Sequence, residues 1–314
     1  MADRGRPLQF GLFLSPRVDM LVNTHLLADI ADVEGLDLVG IQDHPYQSRF
    51  LDTWPLLTSI LCRTGRVRVL PDVGNLPLRP PAVLAKMAAT MDLLSHGRFE
   101  MALGTGTFWQ DIAAMGGEAL NPKEAAGALK EAVKVMRLMW SQSETVQFDG
   151  RHYQLDGAHP GPAPAHDIQI WLGVGGPRLL EYLGAHADGW IPSNGYYLPE
   201  QLPSMQERID GAALSAGRDP ADIVRAYNVI GEISDTAFGA FHGPVSQWVD
   251  ELTCLALDTG IDTFLFGTPT DDREQAHKFA TKVVPAVRAA VQEHRILRNG
   301  TSKTIKPQTG RDAR

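Results

Sequence analysis

The chain has 314 residues, of which 44% are hydrophobic and 21% charged, and its formal net charge is −8. That composition describes a globular protein with a sizeable core, and no apolar run approaches the roughly 18 to 20 residues that span a bilayer. An acidic chain also argues against nucleic acid as the main partner, because neutralising phosphates takes clustered cations.

In chain order, Leu8–Leu14 is a short apolar run, followed by a helical pattern over Thr24–Glu34 that stops at Gly35. Leu38–Ile41, Val67–Leu70 and Phe99–Leu103 are the next strand candidates. Helices are predicted between them over Asp52–Cys62 and Pro80–Leu94, the second from apolar residues at helical spacing. Met87, Met91, Met136 and Met139, likewise at helical spacing, read as core. Asn121-Pro122-Lys123-Glu124 is a helix start, with an N-cap Asn, Pro at the first position and an acid at the third.

Thr145–Leu155 has period-2 character around Asp149-Gly150, which predicts a β-hairpin insertion at about 144–156, and a Pro-rich crossing follows over His159–Pro164. Ile168–Leu172, Gly189–Ile191, Ile223–Ile230 and Thr263–Phe266 complete the strands, with a short Gly-rich loop over Ser234–Gly243 and a last helix over Asp272–His294. Short buried strands alternating with helices mean a parallel sheet. Eight such pairs in one domain over 1–294 fit a (β/α)8 TIM barrel with a hairpin insertion better than a doubly wound open sheet.

Residues 295–314 carry six Lys/Arg against Asp312 alone, a tail of +5 that leaves −13 on the rest, and they read as a disordered end. The start, MADRGRPLQFGLF, lacks the apolar segment of a secretory signal. Cys62 and Cys254 each stand alone in an apolar stretch. Together these predict a cytoplasmic protein without disulfides or a membrane association.

A barrel places its site at the C-terminal strand ends. There the chain has Asp43-His44-Pro45-Tyr46, Asp72-Val73-Gly74-Asn75, Gly104-Thr105-Gly106-Thr107-Phe108-Trp109-Gln110 and Gly173-Val174-Gly175-Gly176. An imidazole at a barrel mouth can donate a hydrogen bond or a proton, although Asp43 and His44 could equally cap and brace a turn. Side-chain-free backbone at a helix N-terminus suits an anion, although glycines also serve close packing. Nucleophile-elbow, zinc-helix and P-loop motifs are absent, Gly104-Thr105-Gly106 falls short of a dinucleotide fingerprint, and His152, His159 and His166 are too scattered for a metal site.

The four strand ends together resemble the luciferase-like monooxygenase superfamily, barrels that use FMN or the deazaflavin F420. The similarity runs from Phe10 to about Val291 and is nearest to the F420-using branch, which includes methylenetetrahydromethanopterin reductase and glucose-6-phosphate dehydrogenase. Arg79-x-Pro81, Met91-Asp92-Leu93-Leu94-Ser95, Gly97-Arg98, Ile170-Trp171-Leu172-Gly173 and Ala187-Asp188-Gly189-Trp190 carry it.

The resemblance implies that His44 and Asp43 are catalytic beside the ring, and that Asp72-Val73 forms a cis-peptide bulge behind it. It implies cofactor contacts from Asp72, Val73, Asn75, Thr105, Gly106 and Gln110, with Gly175 and Gly176 at the cofactor phosphate. Tyr46, Ser48, Thr107 and Trp109 are candidates for the substrate pocket. Thr107 and Ser48 stand where the sugar-phosphate dehydrogenases carry a glutamate and a tryptophan, and the loop after strand seven is shorter than theirs. A different, small-molecule substrate and a more open mouth follow. The expected activity is F420-dependent hydride transfer. The alternatives are an FMNH2-dependent two-component monooxygenase, fed by a separate reductase, and a non-catalytic cofactor-binding relative. The resemblance also implies a homodimer.

Overall fold

The structure, a computed structural model, describes the backbone of residues 3–303 and the side chains of residues 3–298. The first half contains strands β1 (Gln9–Leu14), β2 (Leu38–Ile41), β3 (Arg68–Pro71), β4 (Gly74–Asn75) and β5 (Met101–Gly104). Its helices are α1 (Leu21–Val33), α2 (Thr53–Arg63), α3 (Pro81–Ser95), α4 (Trp109–Ala114) and α5 (Pro122–Met139). A hairpin of β6 (Val146–Asp149) and β7 (Gln154–Ala158) leads to β8 (Ile170–Leu172), α6 (Pro177–His186), β9 (Gly189–Trp190) and α7 (Leu202–Ser215). Then come β10 (Val224–Ile230), β11 (Glu232–Ile233), β12 (His242–Gly243), α8 (Val245–Cys254), β13 (Thr263–Gly267), α9 (Arg273–Lys278) and α10 (Val284–Lys303).

Nine strands lie parallel in the order β3-β2-β1-β13-β10-β9-β8-β5-β4. The two ends of that order are one strand position, because β3 and β4 are halves split at Asp72-Val73. β3 pairs with β2 and β4 with β5, and Val69 of β3 also bridges Phe99 ahead of β5. The sheet therefore closes on itself with eight positions, which is the (β/α)8 barrel expected from the alternation.

Side-chain alternation sorts the core into two shells. Leu38, Leu70, Ala102, Trp171, Val224, Ala226 and Leu265 fill the barrel, while Phe10, Leu12, Val39, Tyr227 and Val229 pack outward with the helices. Met91, Met136 and Met139 are buried as their spacing predicts, whereas Met87 is only partly buried against the same core. The Asn121 side chain accepts from the Lys123 and Glu124 amides while Glu124 reaches back to the Asn121 amide, completing a capping box.

Five local features differ from the sequence reading. The third strand resumes after its bulge. Trp109–Ala114 forms a short helix inside the strand-four loop, and β11 and β12 pair within the loop after the seventh strand. The hairpin turn is longer than an Asp-Gly type I′ turn: Asp149 pairs with Gln154, and the amides of Arg151, His152 and Tyr153 donate to the Glu131 carboxylate at 2.8–3.1 Å. The last helix passes His294 and continues to Lys303. Arg295 donates to Asp3 at 2.7 and 2.9 Å, so the 295 boundary falls inside ordered structure. The rest of the predicted tail, 304–314, lies outside the described residues.

Candidate active site

A cleft of about 360 Å³ opens at the C-terminal ends of the strands. Its lining includes Phe13, His44, Asp72, Val73, Thr107 and Ser193, together with Tyr196 and Tyr197 from the loop after β9. Among the described residues, no Lys or Arg belongs to that lining. A second cavity of about 830 Å³ lies beside it, lined by Thr105, Gly106, Trp109, Lys123, Lys130, Gly176 and Arg178. The Thr105–Thr107 segment passes from the second cavity to the first.

His44 follows β2 and is half-buried, with Nδ1 2.7 Å from Tyr46 Oη. The Phe108 ring meets it edge-on at 5.7 Å between centroids. Burial pushes the imidazole pKa down, opposed in part by the charge of Asp43, so the ring is neutral at pH 7. Burial likewise pushes the Tyr46 hydroxyl up to about 12, which keeps it protonated.

Asp43 points the other way. Its side chain is fully buried, and its two oxygens accept Nη2 and Nε of Arg79 at 2.9 and 3.0 Å. The same carboxylate accepts the Asn75 amide at 2.9 Å and Trp54 Nε1 at 3.4 Å. Arg79 also lies over the Trp54 ring, 5.7 Å from its centroid, and donates to Asp52. Asp43 therefore ties the end of β2 to the segment after β4. Arg79 was recognised in the sequence only as part of a motif; its partner was not legible, because 36 positions separate the two residues.

The Asp72-Val73 peptide is cis, as the resemblance implied. Val73 is accommodated by missing side chains opposite: a Cβ at Gly104 would lie 2.7 Å from Val73 Cγ2. Asn75 is buried, and among the described residues its Oδ1 has no hydrogen-bond partner. Gly176 caps α6, with Pro177 at the first helical position. Tyr197 lies across Gly175 so closely that a Cβ there would meet its hydroxyl at 1.9 Å, which leaves Gly176 the more open of the two glycines.

The predicted residues thus fall into groups. His44, Asp72, Val73 and Thr107 line the cleft, whereas Thr105, Gly106, Trp109 and Gly176 line the cationic cavity. Tyr46 supports His44 from beside the cleft. Gln110 and Ser48 are exposed and line neither space. The sequence reading missed Lys123, Lys130 and Arg178, because their common cavity forms only when the starts of α5 and α6 come together. Among the described residues, no three His, Cys, Asp or Glu side chains are grouped to hold a metal ion, and no helix is long and apolar enough to cross a membrane.

A sequence profile of luciferase-like monooxygenases matches residues 8–237. The F420-dependent glucose-6-phosphate dehydrogenase of Amycolatopsis mediterranei is 32% identical over 196 residues, which cover 58% of this chain and 57% of that enzyme. The enzyme of the same name from Kineococcus radiotolerans is 27% identical over 335 aligned positions, covering 90% of this chain and 98% of that one. Among solved structures, an F420-dependent secondary alcohol dehydrogenase in complex with an F420-acetone adduct superposes with a TM-score of 0.80 at 20% identity, covering 90% of this chain and 99% of its own. A long-chain alkane monooxygenase superposes with a TM-score of 0.79 at 14% identity, over 90% and 92%. These last two likenesses establish the fold.

Proposed function

Because the chain belongs to the luciferase-like monooxygenase family, we propose that it is an F420-dependent oxidoreductase acting on a small uncharged alcohol or carbonyl compound. One observation carries this reading: a cleft without cations, holding a neutral histidine, adjoins a cavity with three cations at a helix N-terminus. That division suits a cofactor with a conjugated ring at one end and phosphate at the other. The residues present fit such a group. The first turn of α6 with Lys123, Lys130 and Arg178 forms an anion cradle, and the buried Asn75 Oδ1 offers an unused acceptor near the bulge. Gly176 and Thr105 would hold the phosphate end and Val73 would support the ring. When bound, the deazaflavin supplies hydride exchange with the substrate carbon.

The chain's own residues supply the proton. Tyr46 Oη can accept from Nδ1–H, leaving Nε2 as a base for a substrate hydroxyl. It can equally donate to Nδ1, leaving Nε2–H to donate to a carbonyl oxygen. One hydroxyl thus supports both tautomers, and the pair serves either direction of transfer. Asp43 acts through position, fixing the loop that carries His44.

The cation-free lining argues against a phosphorylated substrate, and Thr107 cannot perform a glutamate's acid–base role. Glucose 6-phosphate is therefore not the expected substrate. The second reading, FMNH2-dependent oxygenation, uses the same cradle and ring position. Equilibrium titration with F420 and with oxidised and reduced FMN separates the two. Tight F420 binding with weak FMN binding supports our reading, whereas binding of FMNH2 alone would replace it with the monooxygenase.

A further inference from the structure

Asp72 is an unusual residue to find in the floor of this cleft. It is 7% exposed. Among the described residues, its Oδ1 accepts one hydrogen bond, from Asn228 Nδ2 at 3.1 Å, and its Oδ2 has no partner. Asn228 Oδ1 has none either, although Asn228 Nδ2 is shared with Ser193 Oγ at 3.0 Å. Gly40 leaves room for the carboxyl: a Cβ at that glycine would lie 2.9 Å from Asp72 Oδ2.

Among the described residues, the surrounding elements offer no compensating charge. β13 presents Leu265 and β1 presents Phe13. β10 presents Asn228, and the loop after β9 presents Ser193 with Tyr196 and Tyr197. Beyond β2 lie Asp43, committed to Arg79, and His44, which is neutral. A carboxylate without a cation and with one hydrogen bond is costly to bury, so the group takes up a proton instead. Its pKa is accordingly pushed by burial up to about 7.

We propose that Asp72 holds its proton in the folded protein well above the pH at which an ordinary carboxyl loses it, and that its protonated form selects an electron-rich or anionic conjugated ring over the bulge. Protonation turns one carboxyl oxygen into a donor, the group that the unpartnered Asn228 Oδ1 lacks. It also removes a negative charge from beneath the ring, so ionisation of Asp72 opposes binding. The second part rests on the cofactor reading above, and the first does not.

Two measurements on purified protein test the two parts separately. Thermal unfolding of ligand-free wild type and Asp72→Asn is compared at pH 5.5 and 8.5. The folded wild type binds more protons than the unfolded chain between these carboxyl pKa values, so its stability falls as pH rises through that interval. Asp72→Asn should therefore gain in Tm relative to wild type at pH 8.5. An equal difference at both pH values would overturn the neutral acid. If Asp72→Asn does not fold, the carboxyl 13C resonance of Asp72 in the wild type gives the same answer, and a titration near pH 4 would overturn it.

F420 affinity is then measured across the same range. Wild-type affinity should fall by up to roughly tenfold per pH unit above the titration, with a flat profile in Asp72→Asn once the ligand's own ionisation, common to both proteins, is subtracted. Parallel profiles would overturn the coupling. Absence of F420 binding at every pH would remove the cofactor reading and the coupling with it, and the unfolding result would still decide the state of Asp72.

Discussion

Arg79 grips the Asp43 carboxylate with two nitrogens at 2.9 and 3.0 Å, and this fork joins the histidine loop to the segment that follows the cis bulge. Arg79 Nη2 also reaches Asp52, the N-cap of α2, so a single guanidinium fixes three pieces of backbone. The residue next to the imidazole is an anchor, and the imidazole is free for chemistry.

Removing one member of this pair leaves the other charge buried. Arg79→Ala should cost about 3 to 5 kcal/mol in urea denaturation. Arg79→Lys keeps the charge and loses the fork, and should cost less while still weakening cofactor binding. A loss below about 1 kcal/mol for Arg79→Ala would show that the fork does not hold the site together.

His44 should set the pH dependence on the acid side. Its pKa is lowered by burial, so kcat for alcohol oxidation should be flat through neutral pH and fall only as the imidazole protonates below its ordinary range. His44→Ala should reduce kcat by roughly 10² to 10⁴ with F420 binding retained. Tyr46→Phe should reduce kcat by a smaller factor and leave the affinity intact. Unchanged turnover in His44→Ala would remove the histidine from the mechanism.

The cationic cavity makes a separate prediction. Lys123→Ala and Arg178→Ala should each weaken F420 binding and reduce its salt dependence. Neither should alter binding of a phosphate-free deazaflavin analogue. Equal losses for the analogue would mean that the two residues act on the fold rather than on phosphate.

At the opposite end of the barrel, His166 Nδ1 lies 2.8 Å from Asp92 and Nε2 lies 3.4 Å from Glu100. The bond to Glu100, opposed by burial and reinforced by both carboxylate charges, raises its pKa. A raised histidine contributes stability that is present below the unfolded pKa of about 6.5 and lost as pH rises through the folded pKa. His166→Gln should therefore lower Tm more at pH 5.5 than at pH 8.5, and a pH-independent loss would contradict the ion pairs.

The barrel was legible because its strands are short, apolar and spaced by helical patterns, as in Leu38–Ile41 and Thr263–Phe266. The site at the strand ends followed from the barrel itself, whereas the cis bond at Asp72-Val73 followed from resemblance, since no periodicity announces a bulge. The roles of Arg79, Lys123, Lys130 and Arg178 were hidden for another reason: each depends on a partner far away in the chain. Asp43 shows the limit most plainly. Adjacent to His44 in sequence, it faces the opposite side of its loop, and strand-end geometry alone separates the two.

The most direct test of the account is turnover under anaerobic conditions, following the F420 absorbance with a panel of small uncharged alcohols and with glucose 6-phosphate. Loss of the oxidised chromophore with at least one uncharged alcohol, abolished in His44→Ala, and no loss with glucose 6-phosphate is the result expected. Turnover of glucose 6-phosphate, or a substrate oxidised only with FMNH2 and oxygen, would contradict it.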